Sequence, residues 1–101
     1  MSKNVLVTGS GGIGGVNFVN ALRVAKREYS ISGTDYNKYY LELPELNSRY
    51  RTPKHTDPKF LEKIKEIIHE DKIDFLHPSP HSEASVIAKE IDSINTATYL
   101  P

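Results

Sequence analysis

Apolar positions along this chain alternate between short continuous runs and stripes spaced three to four residues apart. Short runs rich in β-branched residues predict buried strands, whereas the wider spacing places apolar side chains on one face of a helix. Five strands are predicted, at residues 4–8, 29–35, 48–52, 72–77 and 96–100. Helices are predicted over residues 13–27, from residue 57 onward, and from residue 79 to about residue 92.

Two pairs of a polar residue and a proline mark the starts of the second and third helices. Asp57 and Ser79 are the predicted N-caps, and Pro58 and Pro80 follow at the first helical position, where the missing N–H is not needed. The side chains expected to face the core from the three helices are Val16, Val19, Ala21, Leu22, Ala25, Phe60, Leu61, Ile64, Ile67, Ile68, Ala84, Ile87, Ala88 and Ile91.

Strand and helix alternate through most of the sequence, which predicts a parallel sheet covered by helices. The expected fold class is therefore α/β, a three-layer Rossmann-like open sheet of about five parallel strands with helices on both faces. The crossovers are expected to be right-handed. The expected strand order is 3-2-1-4-5.

The composition is that of one globular domain of 101 residues. Basic and acidic residues both number 13, so the formal net charge is zero and nothing favours nucleic acid or an anionic membrane. The absence of cysteine excludes a disulfide framework and a thiolate metal site. No run approaches the ~20 apolar residues of a membrane span, and the N-terminus has no leader pattern, so a cytoplasmic protein is expected.

A glycine-rich turn joins the first predicted strand to the first helix. Gly9, Gly11 and Gly14 have the G-x-G-x-x-G spacing, and Asp35 ends the second strand about 20 residues later. Glycines let the backbone approach a ligand closely, and a helix N-terminus favours a phosphate. Asp35 could accept hydrogen bonds from ribose hydroxyls. The candidate binding residues in the turn are Gly9, Ser10, Gly11 and Gly12.

The same turn also fits a second dinucleotide pattern. Residues 8–15 read T-G-x-x-G-x-x-G, the form found in extended short-chain dehydrogenases and epimerases. Those enzymes need a Tyr-x-x-x-Lys pair, and the one match here, Tyr50 with Lys54, encloses Pro53 and is interpreted as chance. Glycines are also needed in any tight strand-to-helix turn, so packing alone is an open alternative.

Several segments of the chain follow one another in a familiar order. They are a G-x-D strand end at residues 33–35, a basic and aromatic strand at 50–53, an aspartate–proline helix start at 57–60, and an I-D-x-L strand running to proline at 73–78. This order resembles the N-terminal, pre-ATP-grasp domain of ATP-grasp enzymes, notably carbamoyl-phosphate synthetase large subunits and biotin carboxylases. HPSPHSE, residues 77–83, is similar to a biotin-carboxylase loop, but it is two residues shorter and lacks the glycines.

The resemblance implies an ATP-dependent ligase that activates a carboxylate as an acyl phosphate and passes it to an amine. ATP and magnesium would be bound mainly by following ATP-grasp domains, so residues 1–101 are expected to be a single-domain fragment that is not catalytic alone. Ser79, His81 and Glu83 join the glycine turn as implied substrate-site residues. The expected partners are those following domains, a small carboxylate substrate and a second copy of the chain.

Two other functions fit parts of the sequence. The glycine turn with Asp35 also predicts an NAD(P)-binding domain of an oxidoreductase or sugar epimerase. A small nucleotide-sensing or scaffold domain is the non-enzymatic alternative. The four histidines show no dense ligand spacing, so no metal site is predicted. No catalytic residue is predicted either.

Overall fold

The computed structural model describes residues 3–25, 28–94 and 97–98. Five strands lie within these ranges: β1 (Lys3–Thr8), β2 (Tyr29–Asp35), β3 (Ser48–Arg51), β4 (Phe75–Pro78) and β5 (Ala97–Thr98). The α-helices are α1 (Ile13–Arg23), α2 (Lys59–Glu70) and α3 (His81–Lys89), and single 3-10 turns span Tyr40–Glu42 and Ile91–Ser93. All strand pairs are parallel and the order is β3-β2-β1-β4-β5, which confirms the predicted fold class and strand order.

Two apolar clusters, one on each face of the sheet, form the core. Successive β1 side chains alternate between them, so Val5 and Val7 pack with α1 while Leu6 packs with α2 and α3. The chain runs from β1 outward to β3 and then crosses back over β1 to reach β4. Right-handed crossovers in opposite directions place their helices on opposite faces, which gives the predicted three layers.

Helix α2 carries the predicted apolar stripe, and Phe60, Ile64 and Ile67 are fully buried. Its start is one residue from the predicted position. The Asp57 carboxylate nevertheless caps it, because Oδ1 accepts the N–H of Lys59 at 2.9 Å.

The end of α2 explains why β4 begins three residues later than predicted. Lys72 has a left-handed φ of 51°, and its N–H donates to the carbonyl of His69. The N–H of Ile73 donates to the carbonyl of Ile68 at 3.0 Å, so the two bonds form a Schellman ending. The chain extends into β4 only after this turn, at Phe75.

Helix α1 is shorter than predicted and its apolar stripe is narrower. It ends at Arg23, whose guanidinium donates to the carbonyls of Tyr29 and Glu45. Val19 is buried, but the predicted core residues Ala21 and Ala25 are exposed, as is Ala88 on α3. Alanine buries little apolar area, so the larger side chains decide which face turns inward. The Ile91 side chain lies outside the described residues.

The start of α3 differs from the prediction. Pro80 has an extended ψ of 139° and precedes the first helical residue, His81, and no side chain caps the helix. The predicted cap by Ser79 is therefore wrong, because Pro80 turns its ring toward Gly9 and the serine lies beside Gly14 instead. No helix of the described ranges has the length and apolarity needed to span a bilayer.

Candidate functional site

The turn after β1 is packed so closely that two of its glycines are required whatever binds there. Gly9 has a left-handed φ of 60°, and a Cβ on it would lie 2.2 Å from the ring of Pro80. A Cβ on Gly11 would lie 2.3 Å from the backbone oxygen of Tyr40. The packing alternative therefore accounts for these two positions.

Gly12 is different, because packing does not require a glycine there. It is exposed, its φ of −78° and ψ of 170° suit any residue, and a Cβ would meet only the Gly9 oxygen at 3.4 Å. The space above this backbone is open. A ligand that lies directly against the chain would use that space.

Backbone donors without an acceptor in the described part of the chain lie where α1 begins. The N–H groups of Ile13, Gly14 and Gly15 have no acceptor among the described residues, whereas that of Val16 donates to the Gly12 carbonyl. No acidic residue occupies the first turn of this 11-residue helix. The unpaired donors and the helix dipole make the N-terminus suitable for an anion.

Asp35 ties the end of β2 to the glycine turn. Its carboxylate is 5% exposed, and Oδ2 accepts the N–H of Gly11 at 3.2 Å. Oδ1 accepts the N–H of Asn37 at 3.0 Å. A carboxylate has about four acceptor positions, so Asp35 keeps capacity for a ligand hydroxyl after these two bonds.

A cavity of about 370 Å³ lies between the glycine turn, the end of β2 and the start of α3. It is at the carboxyl edge of the sheet, where the strand order reverses between β1 and β4, the usual place for a ligand in an open α/β sheet. Four predicted site residues line it, namely Gly9, Gly12, Asp35 and Glu83. The lining residues that were not assigned from the sequence are Tyr36, Tyr40, Lys54, His55, Pro80 and Ser82.

Glu83 is a buried carboxyl group on this cavity. It is 5% exposed, and its buried Oε1 has no hydrogen-bond partner among the described residues. Burial raises the pKa of Glu83 to about 7, and the charge of Asp35 acts in the same direction. The Thr8 hydroxyl lies outside hydrogen-bond geometry, yet it is near enough to lower this pKa in part.

The other predicted site residues lie elsewhere. Ser10 is fully buried and its hydroxyl donates to the carbonyl of Thr34 at 3.3 Å. Gly11 contributes its N–H to Asp35 and does not line the cavity. Ser79 borders Gly14, and His81 is exposed without lining the cavity.

Tyr50 and Lys54 do not form a pair at the cavity. The Tyr50 hydroxyl bonds to both carboxylate oxygens of Asp71, at 2.8 and 2.9 Å. The ammonium of Lys54 lies 5.2 Å from the centre of the Tyr36 ring. Among the residues that the structure describes, no group of three potential metal ligands is close enough to hold an ion.

No protein family profile and no curated protein matches this sequence. Solved structures do match. UDP-D-quinovosamine 4-dehydrogenase from Vibrio fischeri aligns over 97% of this chain and 76% of its own, with a TM-score of 0.63 and 20% identity. A monomeric L-threonine 3-dehydrogenase from a metagenome aligns over 93% of this chain and 34% of its own, with a TM-score of 0.66 and 17% identity.

A dTDP-glucose 4,6-dehydratase from Bacillus anthracis, solved in complex with NAD, aligns over 91% of this chain and 34% of its own, with a TM-score of 0.60 and 17% identity. This chain thus spans only 25% to 34% of three matching proteins. At these identities the likeness establishes a Rossmann-like fold.

These neighbours are dehydrogenases and a dehydratase, and none is an ATP-grasp enzyme. The resemblance to a pre-ATP-grasp domain of a ligase was therefore wrong, and the expected ATP and magnesium have no support from these neighbours. It relied on short segments, such as an aspartate–proline helix start and a strand running to proline, that any Rossmann-like domain can contain. The comparisons show that the chain has the Rossmann-like fold of these neighbours.

Proposed function

We propose that this chain is the NAD-binding part of an oxidoreductase or nucleotide-sugar-modifying enzyme. The observation that carries the proposal is the set of unpaired N–H groups at the start of α1, beside the same cavity that Asp35 lines. Backbone donors for an anion and a carboxylate acceptor for hydroxyl groups at one cavity suit the diphosphate and ribose of one dinucleotide. The neighbour with NAD bound supports this assignment.

The ligand would cross the carboxyl edge of the sheet from β2 toward β4. Its diphosphate would accept the N–H groups of Ile13, Gly14 and Gly15, and Gly12 would let it lie against the backbone. Asp35 would accept the hydroxyls of the adenosine ribose. NAD supplies hydride chemistry when bound, and these residues supply binding and orientation.

The other properties of the proposed enzyme stay predictions. A longer chain, a small-molecule substrate, a second copy of the protein and a cytoplasmic location are all compatible with this proposal. This chain aligns with only 34% of the length of two neighbours. The substrate would then be bound by the regions of such an enzyme that this chain does not align with.

NAD is expected to bind at least tenfold more tightly than NADP, because the Asp35 carboxylate would repel a 2′-phosphate where it accepts a 2′-hydroxyl. Calorimetric titration with both dinucleotides measures the ratio. Asp35→Asn should weaken NAD binding about tenfold and narrow the preference. Asp92→Asn, at an exposed position, is the matched control and should change neither. Absence of NAD binding at millimolar concentration would reject the proposed function.

Gly12→Ala is expected to weaken NAD binding about tenfold or more, because the added methyl group occupies the space against which the diphosphate would lie. The free energy of unfolding should change by less than about 1 kcal/mol, since only the preference for glycine at a helix N-cap is lost. Urea unfolding and calorimetry on the same preparation separate the two effects. Unchanged affinity would show that no ligand approaches the backbone here.

A further inference from the structure

Glu83 is the one described ionisable group of the cavity that is both buried and left with an unpaired oxygen. It lies in the first turn of α3, and its Oε1 is 3.6 Å from the position of a Cβ on Gly9. The carboxyl group therefore borders the glycine turn from the β4 side. A ligand on that turn would meet it directly.

The charge state of this carboxyl decides what it can do for an anionic ligand. An ionised carboxylate accepts hydrogen bonds and repels phosphate oxygens, whereas a neutral carboxyl donates one O–H. A buried carboxyl without a partner favours the neutral form. A ligand oxygen beside this group would accept that O–H.

We propose that Glu83 binds the dinucleotide in its neutral form, donating its O–H to a diphosphate oxygen, so that binding is coupled to the uptake of one proton. This inference rests on the proposed function, because it assigns a role toward the same ligand. The proton comes from solvent and no bond of the ligand changes.

Groups on each surrounding element affect the coupling. Burial has the largest effect and raises the pKa of Glu83 to about 7. The Thr8 hydroxyl on β1 favours ionisation of Glu83, and the Asp35 carboxylate on β2 opposes it. The segment after β3 brings Lys54 and His55 to the same cavity. His55 is the histidine that lines this cavity, so its substitution is the control for another source of pH dependence. The phenol groups of the cavity belong to Tyr36 and Tyr40, and His81 is an exposed neighbour on α3.

The experiment is calorimetric titration of the protein with NAD between pH 6 and pH 8. Affinity should be about tenfold higher at pH 6 than at pH 8, because the neutral fraction of a group that titrates near pH 7 falls about tenfold over this range. Repeating the titration at pH 8 in two buffers with different ionisation enthalpies should show uptake of about one proton per NAD.

Glu83→Gln keeps the shape and an N–H donor while removing the charge. Its NAD affinity should be independent of pH and close to that of the wild type at pH 6, with no proton uptake. Glu62→Gln changes the exposed first-turn glutamate of α2 and should behave as the wild type. His55→Gln should retain the pH dependence if Glu83 is its source.

Three results would overturn the inference. NAD binding that does not vary with pH leaves the proposed function intact and removes the role of Glu83. If the pH dependence of NAD affinity persists in Glu83→Gln and disappears in His55→Gln, the histidine and not Glu83 is its source. A wild-type protein that binds no NAD at any of these pH values rejects both the proposed function and the inference.

A second measurement needs no variant. The ¹³C shift of the Glu83 carboxyl in wild-type protein reports its titration with and without saturating NAD. The midpoint should rise by about two pH units or more when NAD is bound, as linkage requires for uptake of about one proton at pH 8. An unchanged midpoint would contradict the inference.

Discussion

Gly9→Ala is expected to lower the free energy of unfolding by about 2–6 kcal/mol, because a strained left-handed residue and an overpacked contact each cost roughly 1–3 kcal/mol. The φ of Gly9 is 60°, and the new methyl group would lie 2.2 and 2.5 Å from two ring carbons of Pro80. Proline cannot move its ring without shifting the backbone that leads into α3. Urea unfolding followed by circular dichroism measures the loss.

The same substitution is expected to abolish detectable NAD binding, since it displaces the glycine turn and the start of α3 together. Gly12→Ala is the matched control for stability. It lies in the same turn, but its added Cβ would meet only one atom, at 3.4 Å. The two alanine variants should therefore differ by at least about 1 kcal/mol in stability. Equal stability would show that the contact between Gly9 and Pro80 does not hold the two loops in place.

Local patterns were sufficient to predict the fold. The predicted strand at residues 29–35 matches β2 at both ends. This segment is short, consists largely of small and β-branched residues, and is closed by a polar aspartate, which is typical of a parallel strand. The right-handedness of the crossovers is a property of the backbone and not of particular residues. The ends of helices were less predictable. The guanidinium of Arg23, at the end of α1, donates to the carbonyl of Glu45, which is distant in the sequence. Lys72, after α2, adopts a left-handed φ that is unusual for lysine.

The site was predictable only where its residues follow a strand directly. Asp35 and Gly12 adjoin the carboxyl ends of β2 and β1, so parallel pairing brings them to one edge. Lys54 and His55 reach the cavity through an irregular segment between β3 and α2, and no periodicity reports where such a segment folds. Burial of Glu83 did have a signal, because it lies four residues before Ile87 and shares that inward face of α3.

Glu83→Gln is expected to raise the free energy of unfolding at pH 8 by about 3 kcal/mol, which is the cost of ionising a carboxyl whose pKa is raised from 4.5 to about 7. Between these values the folded protein holds a proton that the unfolded chain has lost. Wild-type stability from this group is therefore full below about pH 4.5, falls as the pH rises, and levels off above about pH 7.

The glutamine variant has no such proton, so its advantage over the wild type should be small at pH 4.5 and should grow steadily to pH 7. Urea unfolding of both proteins at intervals from pH 4.5 to 8 measures this difference directly, and titrations shared by both cancel. Glu62→Gln, at an exposed first-turn position, should show no comparable trend. A constant difference across the range would mean that Glu83 is ionised in the folded protein. An ionised Glu83 would repel a diphosphate on the glycine turn, because its carboxylate has no O–H to donate.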